Sequence, residues 1–264
     1  MAFDDISLPK SVTAETVNSV EHYSDNVFSL RITRPSTFRF RSGEFVMAGL
    51  LVDGKPLLRA YSVASPVWDE EIELYSIKVQ DGPLTSRLQH IKPGDQVLLG
   101  KKPTGTLVLD ALTPGKRLIM ISTGTGIAPF ASLIRDPDVY ECFDEVILTH
   151  TCRDLADLTY GQKLAQGLPE DPLVGEVAPG KFKLFNTTTR ETSPHMGRIT
   201  NLIRSGEFYS MANVAELNPA TDRVMICGSM EMLKETQEIA EGLGFEEGAN
   251  NNPGDYVIEK AFVG

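Results

Sequence analysis

The stretch Arg117-Leu118-Ile119-Met120-Ile121-Ser122-Thr123-Gly124-Thr125-Gly126-Ile127-Ala128-Pro129-Phe130 reads as a strand, a glycine turn and the opening of a helix. Arg117–Ser122 has the unbroken apolar run of a buried strand, and apolar residues resume at helical spacing over Ala128–Arg135. Gly124 and Gly126 permit a tight turn and let backbone N–H groups approach a diphosphate closely. Pro129 suits the first turn of the helix, where no N–H partner is lost. An ordinary strand-to-helix connection has the same look, and a proline stands where the dehydrogenase fingerprint has its third glycine. The position after the first strand of an alternating series favours dinucleotide binding.

Downstream, that series continues. Glu145–His150, Lys181–Asn186, Arg223–Cys227 and Tyr256–Phe262 read as strands. Helical patterns fall around Leu155–Gln166 and over Met230–Leu243. Such alternation predicts an open, mostly parallel sheet with helices on its faces. Upstream, from Val17 to about Leu109, the pattern changes to short strands divided by turns. Val27–Ile32, Glu44–Leu51, Leu58–Ala64, Ile72–Val79 and Gln96–Leu99 are punctuated by Ser42-Gly43, Asp53-Gly54, Pro93-Gly94 and Thr104-Gly105. This spacing predicts a small antiparallel barrel or sandwich. One helix, Leu84–His90, follows Asp81-Gly82-Pro83; its opening turn offers an anion site, or simple N-capping by Thr85 or Ser86. The linker is expected near Asp110–Gly115.

At 264 residues the chain has room for two domains. A net charge of −11 disfavours nucleic acid as a partner, because phosphate binding needs a basic surface. No apolar run reaches the roughly 18 residues of a membrane span, and no signal peptide is evident, so a cytoplasmic protein is expected; a monomer is expected as well. The three cysteines, Cys142, Cys152 and Cys227, form no CxxC pair, so neither a metal site nor a cysteine-ligated cluster is expected. Each, taken alone, reads as a buried, inert thiol.

Arg59-Ala60-Tyr61-Ser62, Thr123–Phe130, Cys227-Gly228 and Ala261-Phe262-Val263-Gly264, in that order, resemble the ferredoxin–NADP reductase family. Ser42–Phe45, Tyr75–Val79, Gly82–Ser86 and Glu259–Gly264 are similar to its bacterial branch. The likeness runs from about Val17 to the C-terminus. It implies an antiparallel β-barrel FAD domain (1–112) followed by an α/β parallel-sheet NADP-binding domain (113–264). It further implies electron exchange between NADP(H), as a hydride, and ferredoxin or flavodoxin, in one-electron steps.

By that resemblance Arg59 pairs with the FAD diphosphate, Tyr61 stacks on the flavin and Ser62 bonds near its reactive nitrogen. Ala60, Tyr75, Ile77, Lys78, Val79, Gly82, Leu84, Thr85 and Ser86 hold the rest of FAD, with Thr125 reaching in from the second domain. Gly124, Thr125, Gly126 and Cys227-Gly228 belong to the NADP side. Ser62, Cys227 and Glu259 surround the reacting centre. Arg153, Arg190 and Arg198 hold the 2′-phosphate; the end of a second α/β strand would carry an acid in an NAD enzyme. The last four residues, Ala261–Gly264, would cover the flavin face and gate nicotinamide access.

Other readings stay open residue by residue. Tyr61 also suits half-buried strand packing, Arg59 a surface ion pair, and Glu259 the exposed face of the last strand. For the whole chain the alternatives are an NAD(P)H-dependent reductase component of an oxygenase, or a non-catalytic flavoprotein subunit.

Overall fold

Six antiparallel strands make up the first half of the molecule: β1 (Val12–His22), β2 (Val27–Thr33), β3 (Phe45–Val52), β4 (Lys55–Ser62), β5 (Glu71–Ile77) and β6 (Gln96–Gly100). The computed structural model describes residues 8–260. Their order is β4-β3-β6-β1-β2-β5. Just past β4, Val63 bridges Leu74 of β5 and the Ala64 N–H donates to the Glu73 carbonyl at 2.9 Å, which closes the sheet into a barrel. Inward-facing Phe28, Leu30, Ile32, Val46 and Leu74 fill it. This single bridge draws the two edge strands together at one end.

The strand β1 is an addition to the sequence reading. Its register slips between Val17 and Ser19, which breaks the apolar alternation that would have revealed it. The helix expected over Leu84–His90 is shorter, α1 (Thr85–Leu88).

The second half is a parallel sheet of β7 (Arg117–Thr123), β8 (Glu145–Cys152), β9 (Phe182–Thr188), β10 (Asp222–Gly228) and β11 (Tyr256–Lys260), in the order β11-β10-β7-β8-β9. Helices α2 (Ala128–Leu133) and α4 (Thr159–Gly167) lie on one face; α6 (Ile199–Ser205) and α8 (Met230–Gly242) lie on the other. Leu118 and Met120 face the first group, Ile119 and Ile121 the second. Burial on both faces is why β7, β8 and β10 carry the apolar runs Leu118–Ile121, Val146–Leu148 and Val224–Cys227. Lys181 closes the short helix α5 (Ala178–Lys181) instead of opening β9. The pattern at Leu155–Gln166 begins with one tighter 3₁₀ turn before α4. The short helices α3 (Pro137–Cys142) and α7 (Glu207–Ala212), like α6, were not anticipated. Each has too few turns to show a period.

The two sheets share one apolar core. Val27, Ala64 and Tyr75 from the barrel pack with Ile127, Ala128 and Tyr160 from the α/β half. Tyr75 and Tyr160 stack with ring centroids 4.1 Å apart. No described helix is long and apolar enough to cross a membrane.

Candidate functional site

The parallel sheet reverses its strand order between β7 and β10, and a crevice opens outside their carboxyl ends. Thr123–Gly126 leaves β7 at that point, and Cys227-Gly228 ends β10 beside it, with Cys227 in register with Ser122. Gly126 touches the end of β10: a Cβ there would lie 2.2 Å from the Cys227 carbonyl oxygen. Only glycine allows this approach, and it brings Thr125 and Cys227 together.

Both residues open onto a cavity of about 540 Å³ whose other walls come from the barrel. The β4 residues Arg59, Ala60, Tyr61 and Ser62 form its floor, set by the β3–β4 register of Ala48 with Arg59 and Phe45 with Ser62. Tyr75, Ser76, Ile77 and Val79 continue the wall from β5, and Asp81–Thr85 complete it. This last turn is tied back on itself, since Thr85 Oγ1 accepts from the Val79 N–H at 3.3 Å and donates to its carbonyl at 3.2 Å. Thr85 therefore braces the turn and does not cap α1, which has no side-chain cap.

The residues present suit a dinucleotide. Among the described residues the Arg59 guanidinium donates one hydrogen bond, to the neighbouring Leu58 carbonyl at 2.9 Å, and makes no ion pair. A cavity cation with no counter-ion among the described residues suits a diphosphate. Gly82 leaves space that a side chain would fill, because a Cβ there would lie 2.5 Å from Thr85 Oγ1. Tyr61 is buried, its hydroxyl 3.3 Å from Ser76 Oγ.

Several expected residues stand elsewhere. Lys78 gives its ammonium to the Ser24 carbonyl at 2.6 Å, and neither Lys78 nor Ser86 lines the cavity. Gly124, Gly126 and Gly228 sit behind Thr125 and Cys227 and not on the wall itself. The segment Ala261–Gly264 lies outside the described residues.

Glu259 does not face water. It is buried, in register with Cys227 across β10 and β11, and its carboxylate accepts from the Thr106 N–H at 3.2 Å. Burial pushes its carboxyl up to about 7, against the pull of the Thr106 and Leu107 N–H groups, and the nearby Glu44 adds to the rise. Burial first, and then Glu259, hold the Cys227 thiol well above its usual range. Cys227 lines the cavity. Cys152 is buried as expected, whereas Cys142, at the end of α3, is exposed.

At the far end of the sheet, Arg153 follows β8 and Arg190 follows β9. The two loops are clipped together: the Arg190 N–H donates to the Arg153 carbonyl at 3.0 Å, and the Leu155 N–H to the Glu191 carboxylate at 2.7 Å. Both arginines are exposed, and their side chains have no hydrogen bond or ion pair among the described residues. Arg198 differs, because Glu231 and Glu235 of α8 each hold it at 3.1 Å. Ser76, Asp81, Pro83 and Ala128 line the cavity beside residues that the motifs pick out. Thr106, the partner of Glu259, carried no local signal.

A barrel strand and a glycine turn at a switch point thus meet over one cavity. Residues 14–108 match the oxidoreductase FAD-binding domain family, and residues 120–238 the oxidoreductase NAD-binding domain family. The chain is 60% identical to the flavodoxin/ferredoxin–NADP reductase of Rhodobacter capsulatus, over 95% of this chain and 93% of that one. It is 50% identical to the ferredoxin–NADP reductase of Azotobacter vinelandii, over 96% and 98%. A ferredoxin NADP+ reductase from Neisseria gonorrhoeae, solved with bound FAD and NADP, superposes with a TM-score of 0.87 at 30% identity, covering 96% of this chain and 100% of that one. The chain belongs to the ferredoxin/flavodoxin–NADP reductase family.

Proposed function

We propose that this oxidoreductase passes electrons between NADP(H) and ferredoxin or flavodoxin through a noncovalent FAD. The observation that carries the reading is the single cavity with Arg59, Tyr61 and Ser62 on one side and Thr125 and Cys227 on the other. Bound FAD supplies the conversion between two-electron and one-electron transfer; the chain supplies position and polarity.

Arg59 neutralises the FAD diphosphate, Tyr61 offers its ring to the flavin, and the Val79–Thr85 turn holds the remainder. Lys78 and Ser86 act from behind that wall. Thr123–Gly126 takes the NADP diphosphate, while Arg153 and Arg190 take the 2′-phosphate, with Arg198 joining them if it leaves its glutamates. Cys227 shapes the nicotinamide pocket. Glu259, near half-protonation at neutral pH, holds or releases a proton at its buried carboxyl. Ala261–Gly264 gates the flavin face.

On this reading the enzyme is a cytoplasmic monomer with domains 1–112 and 113–264. Residues 1–112 hold 12 Lys/Arg against 14 Asp/Glu, and residues 113–264 hold 13 against 22. An acidic carrier therefore meets less repulsion at the barrel, which is where the flavin opens.

Boiled protein should release a flavin that migrates as FAD, and anaerobic NADPH should bleach the bound flavin at far lower concentration than NADH. Release of FMN, or no bleaching, would overturn the assignment. Equal response to NADH would favour an oxygenase-type reductase.

A further inference from the structure

His150, near the carboxyl end of β8, is fully buried. Its Nε2 lies 2.9 Å from the carbonyl oxygen of Gly124 in the glycine turn. Two lone pairs facing each other at that distance would repel, so Nε2 carries the proton and donates it. Nδ1 is then a bare acceptor, and nothing hydrogen-bonds to it among the described residues. The opposite tautomer would bury an N–H with no acceptor and also set two acceptors face to face. Burial brings the ring's pKa down to about 4, so the imidazole is neutral in the working range. Cys152 Sγ, 3.2 Å from Nε2, has its own acceptor in the Asp157 carbonyl at 3.7 Å.

Gly124 has φ +53°, a left-handed conformation that glycine adopts freely, and it opens the 3₁₀ turn Gly124–Ile127, whose peptides have no side chain to orient them at this position. A trans peptide is planar, with its C=O and N–H pointing in opposite directions. With the Gly124 carbonyl held by His150, the Thr125 N–H points away from the ring, and Thr125 lines the cavity. The ring sits where only a glycine neighbour leaves room for it. Gly161 of α4 packs against its rear edge so closely that a Cβ there would lie 3.0 Å from Nδ1 and 2.7 Å from Ile127 Cδ1.

We propose that His150 is a positioning residue: it locks the Gly124–Thr125 peptide in the orientation that presents the Thr125 N–H to the diphosphate of the pyridine nucleotide. This rests on reading Thr123–Gly126 as the nucleotide turn. A leucine would fill much the same volume, so what the histidine adds is the hydrogen-bond donor.

The test titrates NADP+ and adenosine 2′-phosphate, which lacks the diphosphate, into FAD-loaded wild type, His150→Leu and His150→Gln. His150→Leu should weaken NADP+ about tenfold, the worth of one hydrogen bond, and leave adenosine 2′-phosphate within about twofold. KM for NADPH should rise with kcat within about twofold of wild type. His150→Gln keeps a side-chain N–H and should recover most of the affinity. Equal losses for both ligands, no loss in His150→Leu, or no recovery in His150→Gln would overturn the proposal. Wild type that binds adenosine 2′-phosphate and NADP+ equally well would instead overturn the reading of the turn. Independently of how the variants fold, ¹⁵N-histidine NMR of the wild-type holoprotein should show a protonated Nε2 and a bare Nδ1 for His150. The other tautomer would overturn the lock.

Discussion

Glu259 and the three arginines show how far single side chains set the behaviour of the site. The folded chain holds the Glu259 proton up to about pH 7, against an ordinary 4.5, because burial disfavours the carboxylate. A raised folded-state value means stability that is complete below 4.5 and lost as pH rises through about 7. The full shift is worth about 3 kcal/mol at most. Glu259→Gln should therefore flatten the fall in stability between pH 5 and pH 8, read from urea melts at both; an unchanged slope would place the titration on another group. Among the arginines, Arg153 is exposed and has no side-chain partner among the described residues, while Arg198 already has Glu231 and Glu235. Arg153→Ala should weaken NADPH roughly ten- to hundredfold, about 1.5–3 kcal/mol, and NADH little. Arg198→Ala should cost less, since its guanidinium must first leave two carboxylates. Equal losses of NADPH and NADH in Arg153→Ala would put that arginine elsewhere. The resemblance grouped Arg59, Tyr61 and Ser62 in one motif, and all three line the cavity. The burial of Glu259 was not legible in the sequence, because the N–H that holds it belongs to Thr106, 153 positions earlier.

Between elements, the contact of most consequence joins the β1–β2 turn to the turn before α4. Ser24 Oγ donates to Asp157 Oδ1 at 2.5 Å, and Asn26 Nδ2 reaches the same carboxylate at 3.2 Å and 3.3 Å. Asp157 is buried, so its removal strands two donors at the junction of the halves. Asp157→Ala should lower global stability by about 1–3 kcal/mol in guanidinium melts of the flavin-loaded protein. No change would mean that water replaces the carboxylate freely. The elements themselves were unequally visible. The strands β7, β8 and β10 announce themselves because burial on both faces demands unbroken apolar runs. In β1 the bulge between Val17 and Ser19 spoils the alternation, so pattern reading finds nothing to follow. The helices α6 and α7 meet at Gly206, φ +83°, which splits one helical span into two pieces too short to show a period.

At the scale of the molecule, the question is whether two sheets make two folding units. Sequence composition separates them cleanly, yet the packing does not. Val27, Ala64 and Tyr75 of the barrel belong to the same apolar cluster as Ile127, Ala128, Phe130 and Tyr160. Tyr23 adds an edge contact to Tyr160, with ring centroids 5.3 Å apart. Around these rings, Arg135 donates to the Ala64 carbonyl at 2.6 Å and faces Glu73 at 3.6 Å. On the other flank Thr106 Oγ1 donates to the Ile258 carbonyl at 2.9 Å. If either half unfolded alone, the survivor would expose this apolar contact and leave its polar flanks without partners. Exposed apolar area costs roughly 25 cal/mol per Å², so partial unfolding is penalised by several buried side chains at once. The holoprotein should therefore lose flavin binding and far-UV circular dichroism in one transition, with calorimetric and van't Hoff enthalpies equal. Tyr160→Ala removes the central ring of the contact and should pull the two signals apart, with the flavin lost first. Two separate transitions in wild type would mean that the shared core couples the halves too weakly to act as one, and that the cavity assembles only when its ligands draw the sheets together.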